Sequence, residues 1–102
     1  MIESARRAAP VPDQPDRVIA EIPRASRENL RVLLRQRRGH MACELRVAAQ
    51  SPRGVMVETP QGIRVPLPRL RDLIRALEAA EREVERRGLM PAAERADTRI
   101  VA

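Results

Sequence analysis

Aromatic side chains are absent from this 102-residue sequence, which has no Phe, Trp or Tyr. Stacking of a planar ligand on an aromatic ring is therefore excluded. Lysine is absent too, so that all 20 basic residues are arginine. No apolar run is long enough to cross a bilayer, and the first residues mix charges with Ala and Pro where a signal peptide would be apolar. We expect a cytoplasmic protein.

Cysteine and histidine each occur once, as Cys43 and His40. One cysteine cannot form an internal disulfide, which fits a reducing compartment. Zinc needs three or four such ligands, and two positions three apart on a strand face opposite sides, so no metal site is expected. The few serines do not converge with His40, and the glycines are isolated, which argues against nucleophilic catalysis and a phosphate-binding loop. We therefore expect neither a cofactor nor enzymatic activity.

The folded part is predicted to be smaller than the chain. Residues 1–17 contain three prolines and no apolar periodicity, so they are predicted to be a disordered tail, and residues 89–102 a flexible C-terminal tail. The remaining residues, 18–88, form one domain with a thin core. Covering an apolar face with a second copy would stabilise such a domain, so we expect a homodimer.

Positive charge is concentrated in one part of the chain. The formal net charge is +6, and residues 18–67 hold nine arginines against four glutamates, whereas both tails are neutral. A local positive field attracts polyanions. This distribution favours a nucleic acid as partner over an anionic membrane.

Alternating apolar residues predict several short strands. Residues 29–38 place Leu30, Val32 and Leu34 on one side, and residues 40–50 alternate in the same way. Further strands are predicted at residues 55–59 and 63–67, with a turn at Pro60-Gln61-Gly62 between them. Residues 18–22 are a weaker candidate for a strand.

A helix is predicted from Pro68 to Arg87, with Gly88 as its stop. Its apolar residues form one stripe: Leu70, Leu73, Ile74, Leu77 and Val84. The sequence thus predicts an α+β fold with about four antiparallel strands followed by one long C-terminal helix, and we expect it to be dimeric.

Arginines occupy the polar positions of these strands. Planar guanidinium groups pair with phosphate oxygens through two hydrogen bonds, so arginines on a sheet can follow a sugar-phosphate backbone. We expect the acidic residues to avoid this side of the sheet and to lie mainly on the helix. The candidate nucleic-acid-binding residues are Arg31, Arg35, Arg37, Arg38, Arg46 and Arg64.

Two segments together resemble a known family. They are R-E-N-L-R-V-L-L-R-Q-R-R-G-H-M-A-C-E-L-R-V and Q-G-I-R-V-P-L-P-R-L-R-D-L-I-R-A-L. Their basic-Gly turn at Arg38-Gly39, the Leu45-Arg46 pair, the Gly62-Ile63 strand and the Leu-rich helix are similar to the bacterial form of the positive cofactor four family of transcriptional coactivators. The resemblance covers about residues 28–87.

This resemblance implies a dimer of curved antiparallel sheets backed by helices. It also implies sequence-tolerant binding of single-stranded DNA or melted duplex, with a role in transcription regulation or DNA metabolism, and hence a nucleoid-associated location. Arg37, Arg38 and Arg46 match basic or turn-proximal contact positions of the family, whereas Arg31, Arg35 and Arg64 come from the alternation alone.

The sequence departs from the family pattern at aromatic positions. Ala48 and Ala49 stand where the family places aromatic residues that stack on bases, and Gln61 stands where a lysine is common. We therefore expect weaker, more salt-sensitive binding through phosphate contacts. Two alternatives stay open: a protein-interaction module that has lost nucleic-acid binding, and binding of single-stranded RNA.

Overall fold

The computed structural model describes residues 15–89 and 98–101. Its elements are β1 (Arg17–Ala25), β2 (Glu28–Arg37), β3 (His40–Gln50), β4 (Met56–Pro66), the helix α1 (Leu67–Arg86) and β5 (Arg99–Ile100). The strands form one antiparallel sheet in the order β4-β3-β2-β1-β5. This open sheet, with one long helix after β4, confirms the predicted α+β fold. Most of the predicted N-terminal tail lies outside the described residues.

The predicted alternation separates two faces of the sheet. Antiparallel pairing sets Val32 opposite Leu45 and Leu34 opposite Cys43, and paired residues project to the same side. We call one side the apolar face; it carries Leu30, Val32, Leu34, Cys43, Leu45, Val47 and Val65. The opposite side is the arginine face, which carries Arg31, Arg35, Arg37, Arg46 and Arg64.

The interior is small, as expected from the chain length. The buried apolar residues are Ala20, Leu33, Ala42, Cys43, Val47, Ala48 and Val65. Leu33 is fully buried although it lies on the arginine face, opposite Glu44 and between Arg31 and Arg35 along β2. Long arginine side chains can cover an apolar neighbour with their methylene stems while the charged ends reach water.

The prediction of a turn at Pro60-Gln61-Gly62 is wrong, because these residues lie inside β4. Ala48 pairs with Glu58 and Arg46 pairs with Gly62, so three residues of β4 face Val47 alone. The chain therefore makes a three-residue bulge within one strand, which joins the two strands predicted at 55–59 and 63–67 into a single element.

Side-chain hydrogen bonds hold this bulge in the sheet. The Thr59 hydroxyl donates to the Val47 carbonyl at 2.8 Å and accepts from the Gln61 N–H at 3.2 Å. At the end of the bulge, a Cβ on Gly62 would lie 2.4 Å from the Leu45 carbonyl oxygen. Only glycine permits this close approach of the two backbones, so Gly62 marks a bulge and not a turn.

The edge formed by β1 differs from the prediction in two ways. β1 runs from Arg17 to Ala25, beyond the strand predicted at 18–22. Residues 99 and 100, placed in the predicted C-terminal tail, form β5 and pair with Glu21 and Ala20. The Val101 N–H also donates to the Ile19 carbonyl at 2.6 Å. Backbone pairing with an open edge needs no sequence periodicity, which is why a two-residue strand leaves no signal in the sequence.

Helix α1 agrees with its prediction to within one residue at each end. Pro68 lies in the first turn, and Gly88 follows the helix with φ at 69°. The helix contacts β3 and β4, but none of its residues is buried and Leu77 is 58% exposed. Much of the apolar stripe therefore lacks a cover within the described residues. No helix in this part of the chain is long and apolar enough to cross a membrane.

Candidate nucleic-acid interface

Five of the six predicted arginines lie on the arginine face. The register between β2 and β3 pairs Arg31 with Arg46, and the register between β3 and β4 pairs Glu44 with Arg64. Arg35 and Arg37 follow Arg31 by four and six residues, which are even separations, so they project to the same side. Regular strand geometry thus brings together residues that are up to 33 positions apart in the sequence, from Arg31 to Arg64.

Glu44 lies at the centre of this face and is fully buried. Its Oε2 accepts from Arg37 Nε and from Arg64 Nη1, both at 2.7 Å, and its Oε1 accepts from Arg46 Nε at 3.0 Å. Arg35 Nη1 contacts Oε1 at 3.4 Å. One carboxylate thus joins four guanidinium groups from three strands, β2, β3 and β4.

These contacts keep Glu44 ionised. The hydrogen bond from Arg37 is the largest influence, burial opposes it, and the hydrogen bonds from Arg46 and Arg64 reinforce it. Together they lower the pKa of Glu44 from 4.5 to about 2. A carboxylate that accepts several charged hydrogen bonds releases its proton more readily, because the charged form is the one these donors stabilise.

A second carboxylate, Glu58, binds Arg35 through both terminal guanidinium nitrogens: Arg35 Nη1 donates to Oε2 at 2.9 Å and Nη2 donates to Oε1 at 2.8 Å. The same contacts raise the pKa of Arg35 and lower the pKa of Glu58. Arg35 Nε also donates to Asp16 at 2.8 Å, and Arg31 Nε donates to Glu21 at 3.2 Å. These arginines of β2 are thus held by carboxylates from β1, from β4 on the far side of β3, and from the residue before β1.

The expectation that acidic residues avoid this face is therefore wrong. Five arginines share it with four carboxylates that bind them: Asp16, Glu21, Glu44 and Glu58. Glu44 was detectable from the sequence, since it lies two residues before Arg46 on the same strand. Glu58 was not, because its position opposite Ala48 depends on a bulge whose residues have the composition of a turn.

The arginines of this face differ in the exposure of their side chains, and therefore in whether a ligand can reach them. The side chain of Arg37 is 49% exposed, whereas Arg31, Arg35 and Arg46 are each 17% exposed. Arg64 is intermediate and also donates to the backbone carbonyls of Arg35 and His40. The covered arginines are enclosed with their carboxylate partners, while half of the Arg37 side chain stays exposed although it also donates to Glu44.

Arg38 lies outside the arginine face, in the turn between β2 and β3. Both turn residues have positive φ, 52° for Arg38 and 79° for Gly39, as in the two-residue hairpin turns that match strand twist. Arg38 is exposed and forms no ion pair with any residue in the described ranges. Together with Arg37, it places two accessible guanidinium groups at this end of the sheet.

No metal site is predicted at His40 and Cys43, the two residues of the sequence that could bind zinc through nitrogen or sulfur. His40 is exposed at the start of β3, on the side of the arginine face, whereas Cys43 is buried on the apolar face. Burial raises the pKa of the Cys43 thiol, which lowers its reactivity as a thiolate. Within residues 15–89 and 98–101, no three His, Cys, Asp or Glu side chains are grouped so that they could hold a metal ion.

Comparison with known proteins gives a match in structure. No protein-family model matches the chain, and no curated protein matches it in sequence. Two crystal structures of BPSL1147, a PC4 homologue from Burkholderia pseudomallei K96243, are similar to it, each with 25% sequence identity. The tetragonal form gives a TM-score of 0.61 over 66% of this chain and 98% of that one. The orthorhombic form gives 0.63 over 74% and 99%.

These neighbours confirm the resemblance to the positive cofactor four family that the strand and turn motifs indicate. Nearly the whole length of BPSL1147 and about two thirds or more of this chain align, so the match does not rest on an isolated hairpin. The chain has a PC4-like fold.

Proposed function

We propose that this chain is a non-enzymatic, sequence-tolerant single-stranded-DNA-binding protein that acts as a homodimer in transcription regulation or DNA metabolism. The observation that supports this most directly is the alignment of Arg31, Arg35, Arg37, Arg46 and Arg64 on one face of a PC4-like sheet. Such an array offers phosphate groups a surface of guanidinium donors at the spacing of adjacent strands.

The arginines have different roles in this proposal. Arg37 and Arg38 make the first phosphate contacts, because they are the most accessible of the six. Arg31, Arg35, Arg46 and Arg64 line the rest of the face, and Glu44 and Glu58 hold guanidinium groups of this set in place before a ligand arrives. A site whose donors are already ordered loses less side-chain entropy on binding.

Binding without aromatic residues rests on charge. Stacking on an aromatic side chain contributes about 1–3 kcal/mol per base, and this chain has no such side chain. Phosphate contacts instead displace counterions, so the affinity falls as salt rises, with a slope of about −0.7 per contact for single strands. We therefore expect weak, strongly salt-dependent and sequence-tolerant binding. A protein that binds DNA in this way would be found at the nucleoid.

A second copy would cover the apolar surfaces that the single chain leaves open. The stripe of α1 has no buried residue, and Ile63 on β4 is 56% exposed. Surfaces of this kind usually mark an interface. In the proposed homodimer, the apolar stripes pack against each other and leave the arginine faces accessible.

The test is a fluorescence-anisotropy titration of the full chain with labelled single-stranded DNA, duplex DNA and single-stranded RNA at two salt concentrations. The test variant is Arg37→Gln with Arg38→Asn, since Asn tolerates the positive φ of the turn. The control is Arg75→Gln with Arg82→Gln, which removes two exposed arginines of α1 that form no ion pair with any described residue.

We expect the parent and the control to bind single-stranded DNA more tightly than duplex DNA. The test variant should bind more weakly, with a salt slope smaller by about 1.4 for two lost contacts. Arg38→Asn alone leaves the ion pairs of Glu44 intact and should show about half of this change. Equal binding by all variants would contradict the site, and tighter binding of RNA would favour the RNA alternative.

The protein-interaction alternative is supported by a different observation. Four carboxylates neutralise most of the charge on the arginine face, so its groups already have partners within the chain. A phosphate would have to compete with them. If the parent binds none of the three nucleic acids at about 50 mM salt, where phosphate contacts are strongest, the interaction module is the better description.

A further inference from the structure

The end of the sheet opposite Arg37 and Arg38 carries two turns that lie side by side. One joins β1 to β2 through Ser26 and Arg27, and the other joins β3 to β4 through residues 51–55. Gln50 connects them: its backbone N–H donates to the Arg27 carbonyl at 2.9 Å, and its side-chain amide donates to the Gly54 carbonyl at 3.3 Å. The two turns therefore have a defined relative position.

Internal hydrogen bonds also order the second turn. The Gly54 N–H donates to the Ser51 carbonyl at 2.8 Å, and the N–H groups of Arg53 and Val55 both approach the Ser51 hydroxyl at 3.3 Å. The backbone that carries Arg53 is thus held at several points. Its side chain projects from an ordered turn.

Arg27 and Arg53 differ from the arginines of the sheet in their partners. Both are exposed, and neither forms an ion pair with a residue in the described ranges. By contrast, the neighbouring Arg24 binds Glu28 at 3.1 Å, and each member of the arginine face binds at least one carboxylate. Among the described residues, no carboxylate pairs with Arg27 or Arg53 and would compete there with a polyanion.

Accessible guanidinium groups thus occur at both ends of the sheet: at one end Arg37, which also binds Glu44, and Arg38, which pairs with no described residue, and at the other Arg27 and Arg53. The distance between the ends follows from β2, whose 10 residues rise about 3.3 Å each and so span about 30 Å. The covered arginines of the arginine face lie between the two ends. A single strand running along the sheet would therefore meet accessible donors at each end and arginines already paired with carboxylates in the middle.

We propose that Arg27 and Arg53 form a second phosphate-binding site, so that the chain holds single-stranded DNA at two points about 30 Å apart. This inference rests on the proposed function and adds a length requirement to it. Only an oligonucleotide long enough to reach both ends gains the second set of contacts, because the effective concentration of its far end depends on whether it can span the distance.

The experiment measures the affinity of the full chain for labelled oligothymidines of about 4 to about 16 nucleotides, the range of site sizes known for single-strand-binding modules. The test variant is Arg27→Gln with Arg53→Gln, and the control is again Arg75→Gln with Arg82→Gln, which makes the same change in net charge. Circular dichroism and the denaturation midpoint verify that both variants are folded.

We expect the parent and the control to show a step in affinity above a threshold length, and the test variant to lack it. For the longest oligonucleotide, removal of two contacts should reduce the loss of affinity between about 50 and 200 mM salt about sevenfold. The shortest oligonucleotide reaches only one end at a time, so the test variant should keep a site for it at Arg37 and Arg38 and lose only the alternative site at Arg27 and Arg53.

The outcomes separate this inference from the proposed function. If the parent binds and the test variant keeps both the length step and the salt slope of the control, the second site is refuted and the proposed function stands. If the parent binds no oligonucleotide of any length at about 50 mM salt, both proposals fall.

Discussion

Replacing Glu44 with glutamine removes the charge at the centre of the arginine face and leaves its shape nearly unchanged. The parent carboxylate accepts charged hydrogen bonds from Arg37, Arg46 and Arg64. Its pKa falls from 4.5 to about 2, which corresponds to about 3 kcal/mol of stabilisation from the ionised form.

The pH dependence of the stability lost in Glu44→Gln shows whether that loss is electrostatic. A lowered pKa in the folded state stabilises the protein fully above the unfolded pKa, near 4.5, and this contribution disappears as the pH falls toward about 2. The free energy of unfolding of Glu44→Gln should therefore be about 3 kcal/mol below that of the parent at pH 7, with the difference shrinking between pH 4.5 and 2. Glu58 shares Arg35 with Glu44, so a double variant should not be additive.

Urea denaturation followed by far-UV circular dichroism at constant chain concentration measures this difference, since the chain has no Trp or Tyr for fluorescence. Glu81→Gln, on the exposed side of α1, is the matched control and should change stability by less than about 0.5 kcal/mol. A deficit for Glu44→Gln that stays constant from pH 7 to pH 2 would refute the electrostatic explanation and point to packing.

Three further substitutions test the helix and the bulge. Leu77→Glu should convert the proposed dimer to monomer in analytical ultracentrifugation, because Leu77 is 58% exposed in the single chain, whereas Ala79→Glu on another side of α1 should not. Gly62→Ala should destabilise the fold by about 1–3 kcal/mol in urea denaturation, because the added Cβ would lie 2.4 Å from the Leu45 carbonyl oxygen. In the control Gly39→Ala the added Cβ meets open space, so only the backbone strain of about 1 kcal/mol is expected. Thr59→Val removes two hydrogen bonds of the bulge and should lower the free energy of unfolding by about 1–2 kcal/mol. Thr59→Ser keeps the hydroxyl and should retain most of that stability. Equal stability of the two variants would contradict the role of these hydrogen bonds.

Much of the fold could be predicted because its elements have local signals. Alternation with a period of two located β2 and β3, and Pro68 and Gly88 located the ends of α1 to within one residue. The bulge in β4 could not be predicted, since Pro60-Gln61-Gly62 has turn composition and only pairing with β3 shows that the strand continues. The same holds for β5, which depends on the open edge of β1.

The candidate site was predictable in its arginines and not in its carboxylates. The alternation of β2 identifies Arg31, Arg35 and Arg37 as neighbours on one face, and the structure places them there. A count of charge by segment, however, records that residues 18–67 are basic without recording which acids face which bases. Glu58 binds Arg35 across 23 positions in the sequence, a contact set by the register of three strands.

The sequence alone thus determined the strand and helix pattern, the excess of arginine in the sheet and the absence of aromatic stacking, because these depend on residue type and local periodicity. The tertiary structure decided which of those arginines remain accessible. Strand register places Glu44 beneath four guanidinium groups and leaves Arg37 and Arg38 accessible at one end of the sheet, with Arg27 and Arg53 at the other. The charge that a partner meets depends on these pairings across strands, which no local segment of the chain encodes.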